Sequence, residues 1–589
     1  MTNIWRLPPE VISRIAAGEV VERPMNIVKE LIENSIDAES TKIVVEITNG
    51  GLDGVQVQDN GVGIAADDVI TAFQLHTTSK LKDDQIGNVL TLGFRGEALA
   101  SIAAVSLVEC SSVHDGTQTL VELEGGTVRK NSAKSTNLGN GTTMRITSLF
   151  FNTPARKKFL KQAATERKKI MELVTHFCLS YPEIHFILNE ITSAGKSQLR
   201  LESPSRTGLL PVIFDIMGAE IANSIVPVKG KLTNWDVSGY VSKPNMVKSD
   251  RSTQYLCVNG RVIRNLELQS RIELAYGSQL MKSSFPIIIL KLHGASNLVD
   301  FNIHPQKAEI RFQSDDPILD EIEHLVSQSL TTESDLQYLP QSQISRVKPN
   351  SSQKQISSIH TQQALPKQNQ ATPRKFYQTS LVDNPQHIAK SGVVVLGHIM
   401  NKFAIVDSGD GELWLVDVHA ADERIKFEHF SQSTHRKVLS QQMLEPFSME
   451  FLPTEKSILI DNIDHLEKFG LKISDGTSNA ILIHSLPVYF DQVLTQERIR
   501  KLLDDIISFL SDTTNASSLV ESPFDTIEYG IVARLACHGS IRSGYAVSND
   551  VISRVVDKLL SCENPWTCAH GRPTVLKLSK STLEGWFKR

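Results

Sequence analysis

The sequence predicts a multidomain chain of mixed α+β and α/β type: two successive α/β units, a polar linker, and a separately folded α/β unit at the C-terminal end. Three observations predict it. Helix-like and strand-like hydrophobic periods alternate from residue 1 to about 330, large apolar residues thin out from 331 to 390, and alternation resumes from 391 to 589. At roughly 150 residues per domain, 589 residues correspond to about four domain-sized units.

In the first unit, 1–205, the segment Met25 to Ala38 has a helical period, and Ile43-Val-Val-Glu-Ile-Thr and Val55-Gln-Val-Gln-Asp read as strands. A second unit, 206–330, follows a change near Ser203 to Leu210. Val237-Ser-Gly-Tyr-Val, Tyr255-Leu-Cys-Val and Pro286-Ile-Ile-Ile-Leu-Lys-Leu read there as strands around a helical stretch from Leu266 to Tyr276. From 331 to 390, Gln, Ser, Pro and Asn crowd together without Trp, so the segment cannot offset the entropy of ordering itself and is expected to be a flexible, disordered linker. A polar surface excursion of one large domain is the alternative, although such long structureless loops are uncommon. Beyond it, Lys402-Phe-Ala-Ile-Val-Asp and Glu412-Leu-Trp-Leu-Val-Asp flank Ser408-Gly-Asp-Gly as the strands of a hairpin.

Composition narrows the function classes. With 40% hydrophobic and 22% charged residues and no apolar run near the roughly 18 residues of a membrane span, a soluble protein without a membrane partner is expected. The start, Met1-Thr-Asn-Ile-Trp-Arg, lacks a basic leader, which points away from export. Lys plus Arg number 61 against 66 Asp plus Glu, a net charge of −5, so any nucleic-acid surface must be a local patch. Cys110, Cys178, Cys257, Cys537, Cys562 and Cys568 are too sparse for a disulfide framework; a reduced, cytosolic setting fits, with a metal or reactive thiol near the end.

The first third carries features of a nucleotide site. At about 100° per residue, Val28, Leu31, Ile32 and Ser35 share one side of the first helix, and Glu30, Asn34 and Asp37 the other. Glu30 is a carboxylate able to orient water one turn from an amide oxygen, Asn34, able to ligate a hard metal; alone, such a stripe is an ordinary solvated face. Asp59-Asn-Gly-Val-Gly follows a strand, and by itself reads as a turn. Thr77-Thr-Ser-Lys, Gly93-Phe-Arg-Gly-Glu-Ala-Leu entering a helix, and Gly139-Asn-Gly-Thr-Thr before a strand complete the series. Backbone amides of such glycine loops hold phosphate oxygens, and no Walker pattern competes for that role.

In this order and spacing, Glu30 and Asn34, Asp59-Asn-Gly-Val-Gly, Gly93-Phe-Arg-Gly-Glu-Ala-Leu and Gly141-Thr-Thr resemble the ATPase superfamily of gyrase, heat-shock chaperone, histidine kinase and MutL. The resemblance implies a left-handed βαβ Bergerat-type α/β sandwich that binds ATP. Glu30 would be the general base, Asn34 the ligand of Mg²⁺, and Asp59 the partner of the adenine amino group. Gly61, Gly63, Thr78, Ser79, Lys80, Gly93, Phe94, Arg95, Gly96 and Thr143 would shape the pocket and its lid. Ile15-Ala-Ala-Gly-Glu-Val-Val-Glu-Arg-Pro, Phe151-Asn-Thr-Pro-Ala-Arg-Lys-Lys-Phe-Leu, Val258-Asn-Gly-Arg and Val299-Asp-Phe-Asn-Ile-His-Pro-Gln-Lys narrow the likeness to the MutL branch of DNA mismatch repair. That implies a second subdomain of ribosomal-S5-like type, from which Lys307 reaches toward the γ-phosphate. A chaperone or topoisomerase reading fails for want of a recognisable Tyr-centred cleavage domain.

Arg156, Lys157, Lys158, Lys161, Arg167, Lys168 and Lys169 cluster with Glu166 alone against them, and Arg261 and Arg264 add to the cluster. A charge run is often only a solvated helix face. In a chain of net negative charge it is also the footprint of phosphate contacts with double-stranded or single-stranded DNA, without a base-reading motif.

In the last third, a helix beginning near Asp417 would set His419 and Glu423 one turn apart; Cys537, and Cys568 with His570, supply thiolate and imidazole. Together these suit Zn²⁺, or Mn²⁺ at a carboxylate-richer position; singly they are buried polar filler. The strings resemble the endonuclease-type MutL C-terminal domain, with Asp417, His419, Ala420, Glu423 and Glu428 matching. Val418 stands where that family has Gln, and Ala569 where it has Pro, which puts loop geometry and cutting efficiency in question. Gln441-Gln-Met-Leu-Glu-Pro is similar to the family's clamp-binding sequence, with Gln441, Met443, Leu444 and Pro446 meeting a replication sliding clamp; the plain reading is a strand edge. The resemblance thus implies a cytoplasmic, nucleoid-associated homodimer that meets a MutS-type mismatch-recognition protein and, gated by ATP, nicks DNA. The alternative is a non-nicking matchmaker with a structural zinc.

Overall fold

The computed structural model describes residues 17, 18, 20–80, 92, 96–192, 195–280, 284–295, 298–300, 311, 312, 317–336, 387, 388, 393–432, 440–477, 479–487, 495–513, 526–541 and 547–586. The chain divides into two compact units, Met1–Glu333 with Lys426–Gly539, and Ser334–Ile425 with Ser540–Arg589.

The first unit opens on helix α1, Pro24–Asp37, with Pro24 at its first position. The buried Asn26 side chain accepts from the amides of Arg23 at 3.0 Å and Glu22 at 3.3 Å, satisfying donors that a helix start leaves open. An eight-stranded sheet follows: β1 Lys42–Thr48, β2 Gly54–Asp59, β3 Leu107–His114, β4 Thr117–Glu124, β5 Thr127–Ser135, β6 Gly141–Thr147, β7 His185–Ile191 and β8 Ser197–Ser203. Its order is β5-β4-β3-β6-β2-β1-β7-β8. Strands β1 and β7 run parallel, and such a pair requires a crossover; the chain returns to β7 through the helix α4, Ala163–Ser180, after α2, Ala98–Ala104, and the short α3, Pro154–Lys157. Ile43, Val45 and Ile47 alternate into the core of this α/β sandwich, where Ile27, Val28, Leu31 and Ile32 of α1 meet Ile170, Val174 and Phe177 of α4.

A five-stranded sheet follows, made of β9 Ile225–Lys231, β10 Trp235–Ser242, β11 Gln254–Val258, β12 Arg261–Ile263 and β13 Ile288–Gly294, in the order β12-β11-β13-β10-β9. Its core holds Trp235, Leu256, Val258 and Leu290 against α5, Leu266–Leu274, and α6, Ile318–Leu336. Ile318, Ile322, Val326 and Leu330 recur every fourth position of α6 and are buried. That helix runs past Thr331, the expected start of the linker, because Thr331–Leu336 contains neither Gly nor Pro. Most of the span read as linker, 337–386, lies outside the described residues.

Lys426–Gly539 contributes the strands Ser440–Glu450, Lys472–Asp475 and Ala480–Pro487 as a three-stranded sheet. Within the unit, Lys248 Nζ meets Glu455 at 2.6 Å, and the Asn479 amide donates to the carbonyls of Asp215 at 2.7 Å and Ile216 at 2.9 Å.

The second unit holds β14 His387–Ile388, β15 Val394–Ile399, β16 Phe403–Asp407, β17 Leu413–Asp417 and β18 Val575–Leu578, hydrogen-bonded in that order. The expected hairpin pairs Phe403 with Asp417 and Asp407 with Leu413. One face packs Val395, Ala404, Val406, Trp414 and Val416 on Ile552, Val555, Val556 and Leu559 of α8, Asn549–Leu560. The other face places Ile405 opposite Leu415, Leu415 opposite Leu576, and Leu413 opposite Leu578.

Candidate nucleotide site and candidate metal centre

The burial of α1 follows its period: Val28, Leu31, Ile32 and Ser35 are buried, whereas Glu30, Asn34 and Asp37 are partly exposed. The Lys80 ammonium spans two of the latter, donating to Asn34 Oδ1 at 2.8 Å and Asp37 Oδ2 at 2.6 Å. A cation therefore stands against the amide expected to ligate metal. Asp59, at the end of β2, is held by three donors, with Oδ1 accepting from Gly61 N at 2.9 Å and Thr142 N at 3.2 Å, and Oδ2 from the Ser35 hydroxyl at 3.0 Å. Burial raises its carboxyl above the ordinary range, and these hydrogen bonds pull against that rise.

The glycines beside it are required by space. A Cβ on Gly61 would stand 2.5 Å from the Ala38 carbonyl, and one on Gly63, whose φ is +77°, 2.1 Å from the Val113 carbonyl. Val62 N donates to Ala38 O at 3.0 Å, fastening the loop to the end of α1. Thr143 lies in β6 opposite Gln58 and Ser111, Thr78 and Ser79 are exposed, and Gly96 precedes α2. Gly93, Phe94, Arg95 and Lys307 lie outside the described residues.

In the second unit, Asp417 ends β17 and helix α7, Val418–Gln432, begins directly after it; Asp417 Oδ1 accepts from Ala420 N at 3.0 Å, as a helix cap does. His419 and Glu423 face each other one turn apart, Nε2 to Oε1 at 3.3 Å, while His419 Nδ1 lies 2.7 Å from the Ile541 carbonyl. Hydrogen bonding to Glu423 raises the imidazole above its usual range, against the effect of burial. His570 Nδ1 lies 3.5 Å from the other Glu423 oxygen, and the His570 amide donates to Cys568 Sγ at 3.4 Å. Ligand atoms of Glu423, Cys568 and His570 all lie within 4.8 Å of one another. Carboxylate, thiolate and imidazole at that separation form a donor set that fits Zn²⁺. Asp417, His419 and Cys537 are outside this trio; Cys537 is half-buried on the helix Thr526–Gly539.

Comparison with known proteins assigns the regions. Residues 22–149 match the model of the histidine kinase-, DNA gyrase B- and HSP90-like ATPase, 213–331 that of the DNA mismatch repair protein C-terminal domain, and 396–547 that of the MutL C-terminal dimerisation domain. The DNA mismatch repair protein MutL of Dictyoglomus turgidum is 33% identical over 600 residues, and that of Shouchella clausii 30% over 670, each alignment covering both chains completely. The chain belongs to the MutL family of DNA mismatch repair proteins. An N-terminal domain of a DNA repair protein, solved by crystallography, aligns with 55% of this chain and 98% of its own at 25% identity and a TM-score of 0.48.

The structure of this MutL protein divides the basic cluster. Lys157, Lys158 and Lys161 are exposed, Arg156, Lys168 and Lys169 are partly buried, and Arg264 extends toward Glu172 at 3.9 Å. Arg167 pairs with Glu190 at 3.0 Å; burial alone would raise that carboxyl, but Arg167 and Arg200 hold it below its usual range. Arg261 is 8% exposed, and its buried guanidinium is within electrostatic reach of Glu33, Asp37 and Glu30 of α1. Arg167 and Arg261 are therefore withdrawn from the expected DNA surface, Arg167 by its pairing with the buried Glu190 and Arg261 by its own burial.

Two contributors escaped sequence reasoning. Ser35 reaches Asp59 from the apolar side of α1, and Arg424 donates to the Cys568 carbonyl at 3.1 Å and the Thr567 hydroxyl at 3.3 Å, bracing the loop that carries Cys568. A charged residue directly after Glu423 in a helix is the single local signal for the second. Within the strand Ser440–Glu450, Gln442 pairs with Ser485 and Phe447 with Ile483, so Met443 to Pro446 bulge from the ladder. Pro446 has no amide to donate there. Leu444 is fully exposed, and Gln441 and Pro446 are exposed beside the half-buried Met443.

Proposed function

We propose that this MutL protein couples ATP turnover to metal-dependent nicking of DNA. As a member of the family with its ATPase and dimerisation domains, it acts in mismatch repair. Glu30 would orient the attacking water and take its proton, Asn34 would hold Mg²⁺, which would supply charge neutralisation for the phosphates, and Asp59 would accept from the adenine amino group. Glycine-loop amides and Thr143 line the pocket, and Lys80, Thr78 and Ser79 belong to its lid with Gly93, Phe94, Arg95 and Gly96. Lys307 reports the γ-phosphate to the second sheet.

The observation that carries the nicking half is the convergence of Glu423, Cys568 and His570 within 4.8 Å. These residues would hold Zn²⁺ or Mn²⁺, with Asp417 and His419 on the same unit, and the ion would supply Lewis-acid polarisation of a phosphodiester. Glu423 itself is buried and fixed between two imidazoles, which orients its carboxylate. Lys157, Lys158 and Lys161 bring duplex or single-stranded DNA by its backbone. The bulge at Met443 and Leu444 inserts in a sliding clamp, and a MutS-type protein supplies the mismatch signal. In full-length protein, Glu423→Ala should reduce Mn²⁺-dependent nicking of supercoiled plasmid at least about hundredfold while ATP turnover persists. Undiminished nicking would leave the non-nicking matchmaker with structural zinc as the reading.

A further inference from the structure

Phe159 is 82% exposed, whereas its neighbour Leu160 packs on the core of the sandwich. Isolated exposed apolar residues are common and need no explanation; this one differs in its setting. The chain around it is an ordered turn: Pro154 begins α3, Phe159 N donates to Arg156 O at 3.0 Å, and Leu160 N to Lys157 O at 3.3 Å. Leu160 anchors that turn, so the Phe159 ring is held outward rather than left loose. Lys157, Lys158 and Lys161, all exposed, flank it on both sides in the sequence.

An exposed apolar ring on a hydrogen-bonded turn, with exposed lysines two and one residues before it and two after it in the chain, suits an anionic backbone that carries flat apolar faces. We propose that Phe159 is a stacking platform for an unpaired nucleobase of single-stranded DNA, with Lys157, Lys158 and Lys161 holding the adjoining phosphates. The proposal rests on the reading of these lysines as phosphate contacts and adds the part that phosphate contacts lack: discrimination of an exposed base from a stacked one. In a duplex both faces of each base are covered, so the ring has nothing to stack on. In a single strand it replaces a neighbouring base, with a gain that does not depend on sequence because every base has a π-face.

The test measures binding of full-length protein to three probes by fluorescence anisotropy over a salt series: a single-stranded oligothymidylate, the same strand with abasic sites throughout, and a duplex. Phe159→Ala should weaken binding to oligothymidylate about tenfold, leave abasic and duplex binding unaltered, and keep the salt slope. Phe159→Tyr, which retains a ring, should restore the loss. Lys157→Ala with Lys158→Ala should weaken all three probes and flatten the slope. Equal loss on the abasic strand, or no loss on any probe, overturns the stacking role and points to a protein partner for the ring. An unaltered slope in the lysine variant would instead remove the phosphate reading beneath the proposal.

Discussion

The chemistry of the nucleotide site rests on a few side chains whose surroundings set their behaviour. Glu30 stands on the open side of α1, one turn from Asn34, and if it directs water as proposed it should be dispensable for binding. Glu30→Ala is expected to lower phosphate release at least about hundredfold while calorimetry shows nucleotide affinity retained. Asp59 makes a pH-dependent prediction. Its carboxyl is raised by burial, so the folded chain keeps this proton to higher pH than the unfolded chain does. The group's contribution to stability is then present at low pH and lost as pH rises through the raised pKa. The proposed adenine contact needs the ionised acceptor and would follow the opposite course, so affinity should fall on acidification before ordinary carboxylates titrate. Asp59→Asn should bind about tenfold more weakly and lose that pH dependence, as read by fluorescent-nucleotide titration. The stripe of Glu30, Asn34 and Asp37 was legible from helical periodicity. The hold on Asp59 was not, because Ser35 and Thr142 are 24 and 83 positions away and meet it through packing of α1 and through pairing of β6 with β2 respectively.

At the scale of elements, a bulge or a cap redirects residues that a periodic reading treats as uniform. The strand Ser440–Glu450 reads as a plain edge, yet its ladder skips from Gln442 to Phe447 and leaves Leu444 wholly in solvent. Since that side chain supports nothing internally, Leu444→Ala should leave the melting temperature unchanged. If the bulge takes the proposed clamp contact, the change should weaken sliding-clamp binding about tenfold by surface plasmon resonance, the effect of losing one apolar anchor. Helix α7 shows the converse. Its period set His419 beside Glu423 in advance, but Arg424, which braces the Cys568 loop, carries no periodic mark and became visible through its contacts.

For the whole molecule, the sheet of the second unit has one face packed on α8 and a second that turns Ile405, Leu415 and Leu576 outward in one cross-strand row. Leu576 remains 55% exposed, and its neighbours in the row are half-buried. A contiguous apolar face of this kind is what an isologous dimer covers, in agreement with the dimerisation domain matched over 396–547. Leu415→Glu places a charge at the centre of that face and should shift sedimentation from dimer to monomer at micromolar concentrations, without loss of secondary structure by circular dichroism. A dimer of undiminished stability would assign the contact to another surface.

The sequence by itself determined the succession of α/β elements, the open stripe of α1, the glycine loops and the residue types able to hold phosphate or metal. Each of these is a local pattern of period, turn chemistry or spacing. Tertiary structure decided which of them meet. Glu423 joins Cys568 and His570 across more than a hundred intervening residues, and Arg261 leaves the basic surface by being buried. It also decided that Phe159 points out where Leu160 points in. The physical reason is the same in each case: burial and side-chain contact depend on how distant segments pack, and the pattern of residues along one element does not contain its partner's position.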